Sequence, residues 1–518
     1  MNSSIKNTFP ESWVNVTLKD VGTSVTGNTP STKDKSNYGA HLPYIKPPQL
    51  NNCLIRKSDE YLSAKGAALA RILPAFSVLV SCIGNLGRTA LNTAPVAFNQ
   101  QINAVIPYEG LNPKFLFYQA QSHYVRSQLE EKSTATTISI VNKGNFEKVN
   151  LNLAPINEQH RIVAKIETLF AELDKGIESL KTAREQLKVY RQAVLKHAFE
   201  GKLTAQWREQ NKDKLETPQQ LLASIQQERQ ARYQQQLKDW QADVKVWETN
   251  DKEGKKPGRP RLINAPKINT ERDFEVPAEW ELMELGTLAF ESILGKMLDK
   301  AKNIGLARPY LGNINVRWGA FNLDNLKSMK IEESEVERYS LESGDIVICE
   351  GGEPGRCAVW QNTGTPVFIQ KALHRVRFTE SYSSRFAFYY LTYSTPLERV
   401  IKHFTGTTIK HLTGTGLNKV QFPVCSLEEQ LEIVNILEEK LSLIESLESE
   451  IYRQLKKSET LRQSILKKAF SGKLVPQDPN DEPASALLAR IEAENATHAV
   501  NSRKTINKET GETTKQGS

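Results

Sequence analysis

Cysteine is scarce in this 518-residue chain: five residues, Cys53, Cys82, Cys349, Cys357 and Cys425, with no CxxC pair. An odd count without paired spacing argues against a disulfide framework and against a structural zinc, and it suits a reduced cytoplasm. Each is expected as a small buried apolar side chain. No apolar run approaches the roughly 18–20 residues that span a bilayer, and residues 1–10 lack the apolar core of a signal peptide. Catalytic signatures are missing as well. There is no GxxxxGK[ST] loop, because Gly351-Gly352-Glu353-Pro354-Gly355-Arg356-Cys357 lacks the Lys-Ser/Thr pair. No HExxH or EF-hand loop occurs, and the eight histidines are scattered. The formal charge of +8 is only mildly basic: it is compatible with a polyanion partner and equally with an ordinary soluble surface. The chain reads as a binder, with no catalytic residue, metal ligand or cofactor site visible in its sequence.

What is present is a long internal repeat. Residues 158–203 open with Glu158-Gln159 and close Arg191-Gln192-Ala193-Val194-Leu195-Lys196-His197-Ala198-Phe199-Glu200-Gly201-Lys202-Leu203. Residues 429–474 open with Glu429-Gln430 and close Arg462-Gln463-Ser464-Ile465-Leu466-Lys467-Lys468-Ala469-Phe470-Ser471-Gly472-Lys473-Leu474. Across residues 115–203 and 386–474, 23 of 89 positions are identical without a gap. That length exceeds a solenoid unit of about 20–50 residues and indicates a duplicated domain-plus-helix.

Both copies carry helical periodicity. Ile166, Leu169, Leu173, Leu180, Leu187, Tyr190 and Val194 fall at three/four spacing, with Gly176 and Ala183 at seam positions; Leu437, Leu441, Ile444, Leu447, Ile451, Leu455 and Ile465 do so in the second. About 40 helical residues make a rod of roughly 60 Å. Gly201 and Gly472 are the expected C-terminal stops. Ser426 with Glu429 forms a candidate capping box, and Asn157 is the cap candidate of the first copy. Packing of each helix onto its own domain is the alternative to pairing. Residues 428–450 hold eight Glu and one Lys, whereas 184–202 hold five Lys/Arg and two Glu, so charge favours an antiparallel pair.

The divisions follow from this. Residues 1–155 and 273–425 read as two α+β domains, with short β-branched runs between turn signals and a helix opening at Asn112-Pro113. Residues 156–203 and 426–474 are the long helices. Residues 204–272 hold a polar helix, 218–248, and a basic loop, 250–267; residues 475–518 are a polar tail with a short helix. Pro277-Ala278-Glu279-Trp280 echoes Pro10-Glu11-Ser12-Trp13, and the turn at 352–356 echoes Gly84-Asn85-Leu86-Gly87-Arg88.

Two α+β domains, each followed by a helix running from Glu-Gln to Arg-Gln-(Ala/Ser)-(Val/Ile)-Leu-Lys-x-Ala-Phe-x-Gly-Lys-Leu, resemble the DNA-specificity subunit of type I restriction–modification enzymes; Thr204-Ala205-Gln206-Trp207-Arg208 is similar to that family's central region. The resemblance implies two tandem target-recognition domains separated by an antiparallel coiled-coil helix pair with pseudo-two-fold symmetry. Each domain would read one half of a bipartite, asymmetric double-stranded DNA site. The helices would fix the spacing and dock two modification subunits, which bind S-adenosylmethionine and methylate adenine N6. Restriction subunits using ATP and Mg would join them, in a bacterial or archaeal cytoplasm. This chain itself would be non-catalytic, with no cofactor or metal of its own.

Base readout calls for Arg or Lys to guanine and Asn or Gln to adenine. In the first domain the candidates are Lys46, Gln49, Asn85, Arg88, Asn99, Gln100 and Gln101. In the second they are Asn313, Asn315, Arg317, Glu353, Arg356, Gln370, Lys371 and His374. Thr136, Thr137, Thr407 and Thr408 recur identically and suit phosphate contact or a shared turn. For each residue an exposed polar side chain without a role is the competing assignment. Changing the length of the segment that begins at Thr204 is expected to alter only the unread base pairs. Two other classes compete: a single-chain DNA-modifying enzyme with diverged motifs, and a coiled-coil scaffold that binds no DNA.

Overall fold

The two helices foreseen from periodicity run over Ile156–Phe199 and Leu427–Ala469. The computed structural model describes residues 9–134, 138–250, 252–253, 256–260, 272–299, 301, 303–361 and 364–493. It divides into two units, Met1–Thr182 with Ile451–Ser518, and Ala183–Glu450. Each unit therefore holds one α+β domain, the start of one long helix and the end of the other.

In the first unit a five-stranded sheet has the order Gly22–Thr26, Ile102–Pro107, Val78–Ser81, Thr89–Asn92, Cys53–Ile55. A second sheet pairs Tyr38–Ile45 in parallel with Val96–Phe98. Strand alternation divides the core. Val78 and Val80 face the helices Pro113–Ala120 and His123–Glu131, while Leu79 faces Ile45, Leu73 and Phe98. The expected single helix from Asn112 is thus two, broken at Gln121-Ser122, where Ser122 caps the second.

The second unit repeats the plan. Its sheet order is Glu291–Leu294, Leu373–Arg377, Ile346–Cys349, Cys357–Val359, and Leu306–Leu311 pairs in parallel with Phe368–Ile369. Ile346 and Ile348 face Phe386 and Tyr390, whereas Val347 and Cys349 face Leu311 and Ile369. A 32-residue helix, Pro218–Thr249, begins with a Thr217/Gln220 capping box and buries Leu221 and Ile225 in this unit. Four of the five cysteines are buried and Cys53 is half-buried; all are free.

The helix ends explain why their residues recur. In the first unit Trp13 Nε1 donates to Glu158 (2.8 Å), and in the second Trp280 Nε1 donates to Glu429 (3.0 Å). Gln159 donates to Ala154 O and accepts from Asn112 N; Gln430 donates to Cys425 O and accepts from Ser383 N. Glu-Gln is therefore a structural latch between each helix start and the domain before it. The incoming helix end comes from the other copy. Phe470 packs edge-on against Phe115 beside Trp13, while Phe199 packs among Phe386, Tyr390 and Tyr393. Gly201 (φ +67°) and Gly472 (φ +69°) close these ends with Lys202 N→His197 O (2.8 Å) and Lys473 N→Lys468 O (2.9 Å). A Cβ on either would strike Pro277 or Pro10 respectively, so glycine serves both the cap and the docking.

Within each unit the start of one long helix lies against the end of the other, an antiparallel arrangement. Ile162, Val163 and Ile166 share a core with Ile465, Leu466 and Ala469 in the first; Val194 and Leu195 share one with Ile433, Leu437 and Leu441 in the second. The charge argument is met at Arg191–Glu448 (3.1 Å); Arg462 on Asp174 is a further pair outside the two stretches it concerned. Details of the stripe are corrected. Gly176 is exposed and Ile177 occupies the seam; Tyr190 and Leu447 point outward. Ser426 accepts from Glu429 N, but the Glu429 carboxylate goes to Trp280, Thr204 and Arg208, so only half the expected box forms. Asn157 sits inside the first helix rather than at its cap.

Candidate nucleic-acid interface

Each domain carries one rim made of four segments, and the backbone bonds that assemble it are the same in both. In the first domain, strand Val78–Ser81 leads into the turn at residues 84–88. Gly87 N bonds Ser81 O (3.0 Å) and Ser81 N bonds Arg88 O (2.8 Å). In the second, Gly355 N bonds Cys349 O (3.0 Å) and Cys349 N bonds Arg356 O (2.8 Å). Gly84, Gly87, Gly352 and Gly355 all lie at φ between +75° and +88°, so the turn requires glycine at both corners. Cys82 N then bonds Gln101 O, as Glu350 N bonds Ala372 O. Val141 N bonds Cys82 O, as Leu412 N bonds Glu350 O. Asn99 N bonds Ile45 O, as Gln370 N bonds Leu311 O. The glycine turn, the segment at residues 138–141 or 409–412, the turn at 99–101 or 370–372, and the segment leaving the parallel strand are thereby gathered.

The sequence-derived candidates divide sharply on this frame. Asn85 is exposed at the turn tip, and Arg88 donates to Asn51 Oδ1 (2.8 Å). Gln100 is exposed and accepts from the Thr29 hydroxyl. Lys46 pairs with Glu60 (2.5 Å). Gln49 is used internally, accepting from Lys46 N (2.9 Å) and donating to Ser58 (2.7 Å). Asn99 is buried and bonds Gln101, so these two shape the turn instead of facing outward. Thr136 and Thr137 lie outside the described residues.

In the second domain Glu353 is exposed and accepts from Trp318 Nε1 (2.7 Å) and Arg356 (2.7 Å). The Trp318 indole N–H, followed by Arg356, holds its carboxyl below the usual range. Arg356 also donates to Asn313 O (3.0 Å), and Asn313 donates to Gly351 O (3.0 Å), which ties two rim segments together. Arg317, Lys371, Thr407 and Thr408 are exposed, and Gln370 is half-buried. Two candidates turn inward. Asn315 is buried, accepting from Gly312 N (2.9 Å) and donating to Asn322 O (3.0 Å). His374 is 1% exposed with Nε2 against Leu412 O (2.9 Å), and burial pushes its pKa below the ordinary imidazole value. A strand position alternates between faces, and His374 falls on the inner one. Trp318, 37% exposed at the rim, escaped the sequence reading; an aromatic before Gly319 in a polar stretch was the available signal. Among the described residues no cluster of three His, Cys, Asp or Glu is placed to hold a metal.

A family profile described as "Type I restriction modification DNA specificity domain" matches residues 10–181 and again 277–457. The chain belongs to the type I restriction–modification DNA specificity family. It is 23% identical over 519 residues to the type I restriction enzyme EcoKI specificity subunit of Escherichia coli (strain K12), covering 94% of this chain and 96% of that one. Its fold matches a chain solved in work on complex assembly and conformational transition of the type I R-M system, at TM-score 0.61, 17% identity and coverage of 90% and 99%. The HsdS subunit from Thermoanaerobacter tengcongensis matches at TM-score 0.51, 18% identity and coverage of 90% and 98%. As a specificity subunit the chain recognises DNA for a type I restriction enzyme and is not itself the catalytic component. Among the described residues no helix is long and apolar enough to cross a membrane.

Proposed function

We propose that each domain reads one half of a bipartite, asymmetric DNA site through its rim, and that the helix pair sets the number of base pairs between the halves. The observation that carries this is the repeated rim: one backbone frame, built by equivalent bonds, presents Asn85 and Gln100 in one domain and Glu353 and Lys371 in the other. Equal frames with unequal side chains suit two readers of unequal sequences. The helices also dock two modification subunits, which hold S-adenosylmethionine and transfer its methyl group to adenine N6; restriction subunits using ATP and Mg complete the enzyme. The chain works in the cytoplasm.

Thr204 is a poor place to vary the spacer, since it is buried and bonded to Glu429 (2.6 Å). A better series adds matched whole turns, about 5.4 Å each, to both helices at 182–183 and 450–451, where each passes between units. Methylation mapping of the assembled enzyme should return unchanged half-sites with a different number of unread base pairs. A gap that stays constant throughout the series removes the spacer role.

A further inference from the structure

The two glycine turns share the pair of backbone bonds that closes them, Gly87 N or Gly355 N to Ser81 O or Cys349 O and Ser81 N or Cys349 N to Arg88 O or Arg356 O, which allows their side chains to be compared position by position. Gly84 and Gly352, Gly87 and Gly355, and Arg88 and Arg356 are the same residue in the same place. Leu86 is buried and Pro354 is half-buried, so neither offers a polar group. One position remains that is exposed, polar and different: Asn85 in the first domain, Glu353 in the second.

The neighbours narrow the choice further. Arg88 and Arg356 are alike and both reach back to the segment after the parallel strand, through Asn51 and Asn313. A group identical in both readers holds the frame or a phosphate and carries no difference in sequence. Asn99, Gln101, Asn315 and His374 spend their polar atoms inside the domain. Asn85 makes no side-chain hydrogen bond among the described residues, leaving its amide oxygen and both its N–H donors available. Glu353 is oriented by Trp318 and Arg356, one on each carboxylate oxygen. An ionised carboxylate has about four acceptor sites, so two remain for a ligand.

We propose that this position of the glycine turn is a base-reading position in both domains, Asn85 taking adenine in one half-site and Glu353 taking the amino group of cytosine in the other. Asparagine matches the N6 donor and N7 acceptor of adenine in the major groove, and glutamate accepts from cytosine N4. Guanine O6 and thymine O4 are acceptors and would meet the Glu353 carboxylate with like charge and no donor. The inference rests on the proposed function above and adds which side chain meets which base.

The test uses the full chain assembled with its modification subunits, acting on a library randomised across both half-sites, with methylated molecules sequenced. Glu353→Asn is expected to move one position of the second half-site from cytosine to adenine, by roughly ten- to hundredfold in preference, leaving the first half-site untouched. Asn85→Glu should do the reverse in the first half-site alone. Glu353→Gln keeps an acceptor for Trp318 and should also turn to adenine; it loses only the exposed ion pair with Arg356, so its urea unfolding midpoint should fall only slightly below that of the wild type. A bipartite consensus that all three variants leave unaltered overturns this inference while the two-reader function stands. So does a loss of methylation spread evenly over all positions. A wild-type complex whose methylated set shows no two-part site overturns both.

Discussion

The ends of the long helices and the rims of the domains differ in how far the two halves of the chain agree. At the helix ends Glu-Gln, Ala-Phe and Gly-Lys-Leu recur residue for residue, and Glu-Gln and Ala-Phe are buried in equivalent contacts. At the rims the backbone bonds recur, but exposed side chains such as Asn85 against Glu353 and Gln100 against Lys371 do not. Burial accounts for the contrast. A close-packed junction tolerates few shapes, whereas an exposed side chain on a rigid turn can change without disturbing what carries it. The molecule separates the part that holds from the part that reads.

Breaking the holding part should have the largest effect. Phe199→Ala or Phe470→Ala should each cost about 3–5 kcal/mol, measured by urea unfolding. Limited proteolysis should loosen the unit of residues 183–450 in the first variant and the other unit in the second. The latch sharpens the comparison because its two carboxylates have different company. Buried Glu429 faces the half-buried Arg208 guanidinium, so Glu429→Gln should cost about 2–3 kcal/mol, as for a hydrogen bond to a charged group. Glu158 meets the neutral Trp13 and Gln477, and Glu158→Gln should cost about 1 kcal/mol.

The same carboxyl predicts a pH effect. Desolvation raises the Glu158 pKa in the folded state, so its contribution is fully present below the unfolded value near 4.5 and is lost as pH rises through the folded value. Urea unfolding of the first unit in a pH series should have a shallower slope in Glu158→Gln over that window; an identical slope would remove the role given to burial.

His374 tests the division from the side of the rim. His374→Ala should cost about 1–3 kcal/mol and leave the methylated bases unchanged, because the ring faces Leu412 O and not solvent. A changed consensus would return it to the readers. The smallest effect belongs to Thr407→Ala and Thr408→Ala, both exposed: stability should move by less than about 0.5 kcal/mol. DNA affinity, read by a gel shift over a salt series, should fall equally for every sequence.

Much of the architecture was legible in the chain. The 271-residue register, the three/four stripe and the opposed charges of 184–202 and 428–450 pointed to paired antiparallel helices, and the turn at 84–88 pointed to its counterpart at 352–356. Errors came where a side chain had two partners to choose from. Glu429 could cap its own helix or meet Trp280, and the second required knowing that residue 280 returns to that spot. Gly176 and Ile177 are adjacent, so periodicity alone could not say which faced the seam.

Composition and repetition by themselves determined that this chain is two similar α+β domains with two long helices, because hydrophobic period and internal identity are written locally. Tertiary structure alone decided that the end of each helix docks on the domain of the other half, and which polar groups remain at the rim after the fold has used the rest. Both depend on contacts between residues hundreds of positions apart, and a one-dimensional pattern does not carry the direction in which a side chain points.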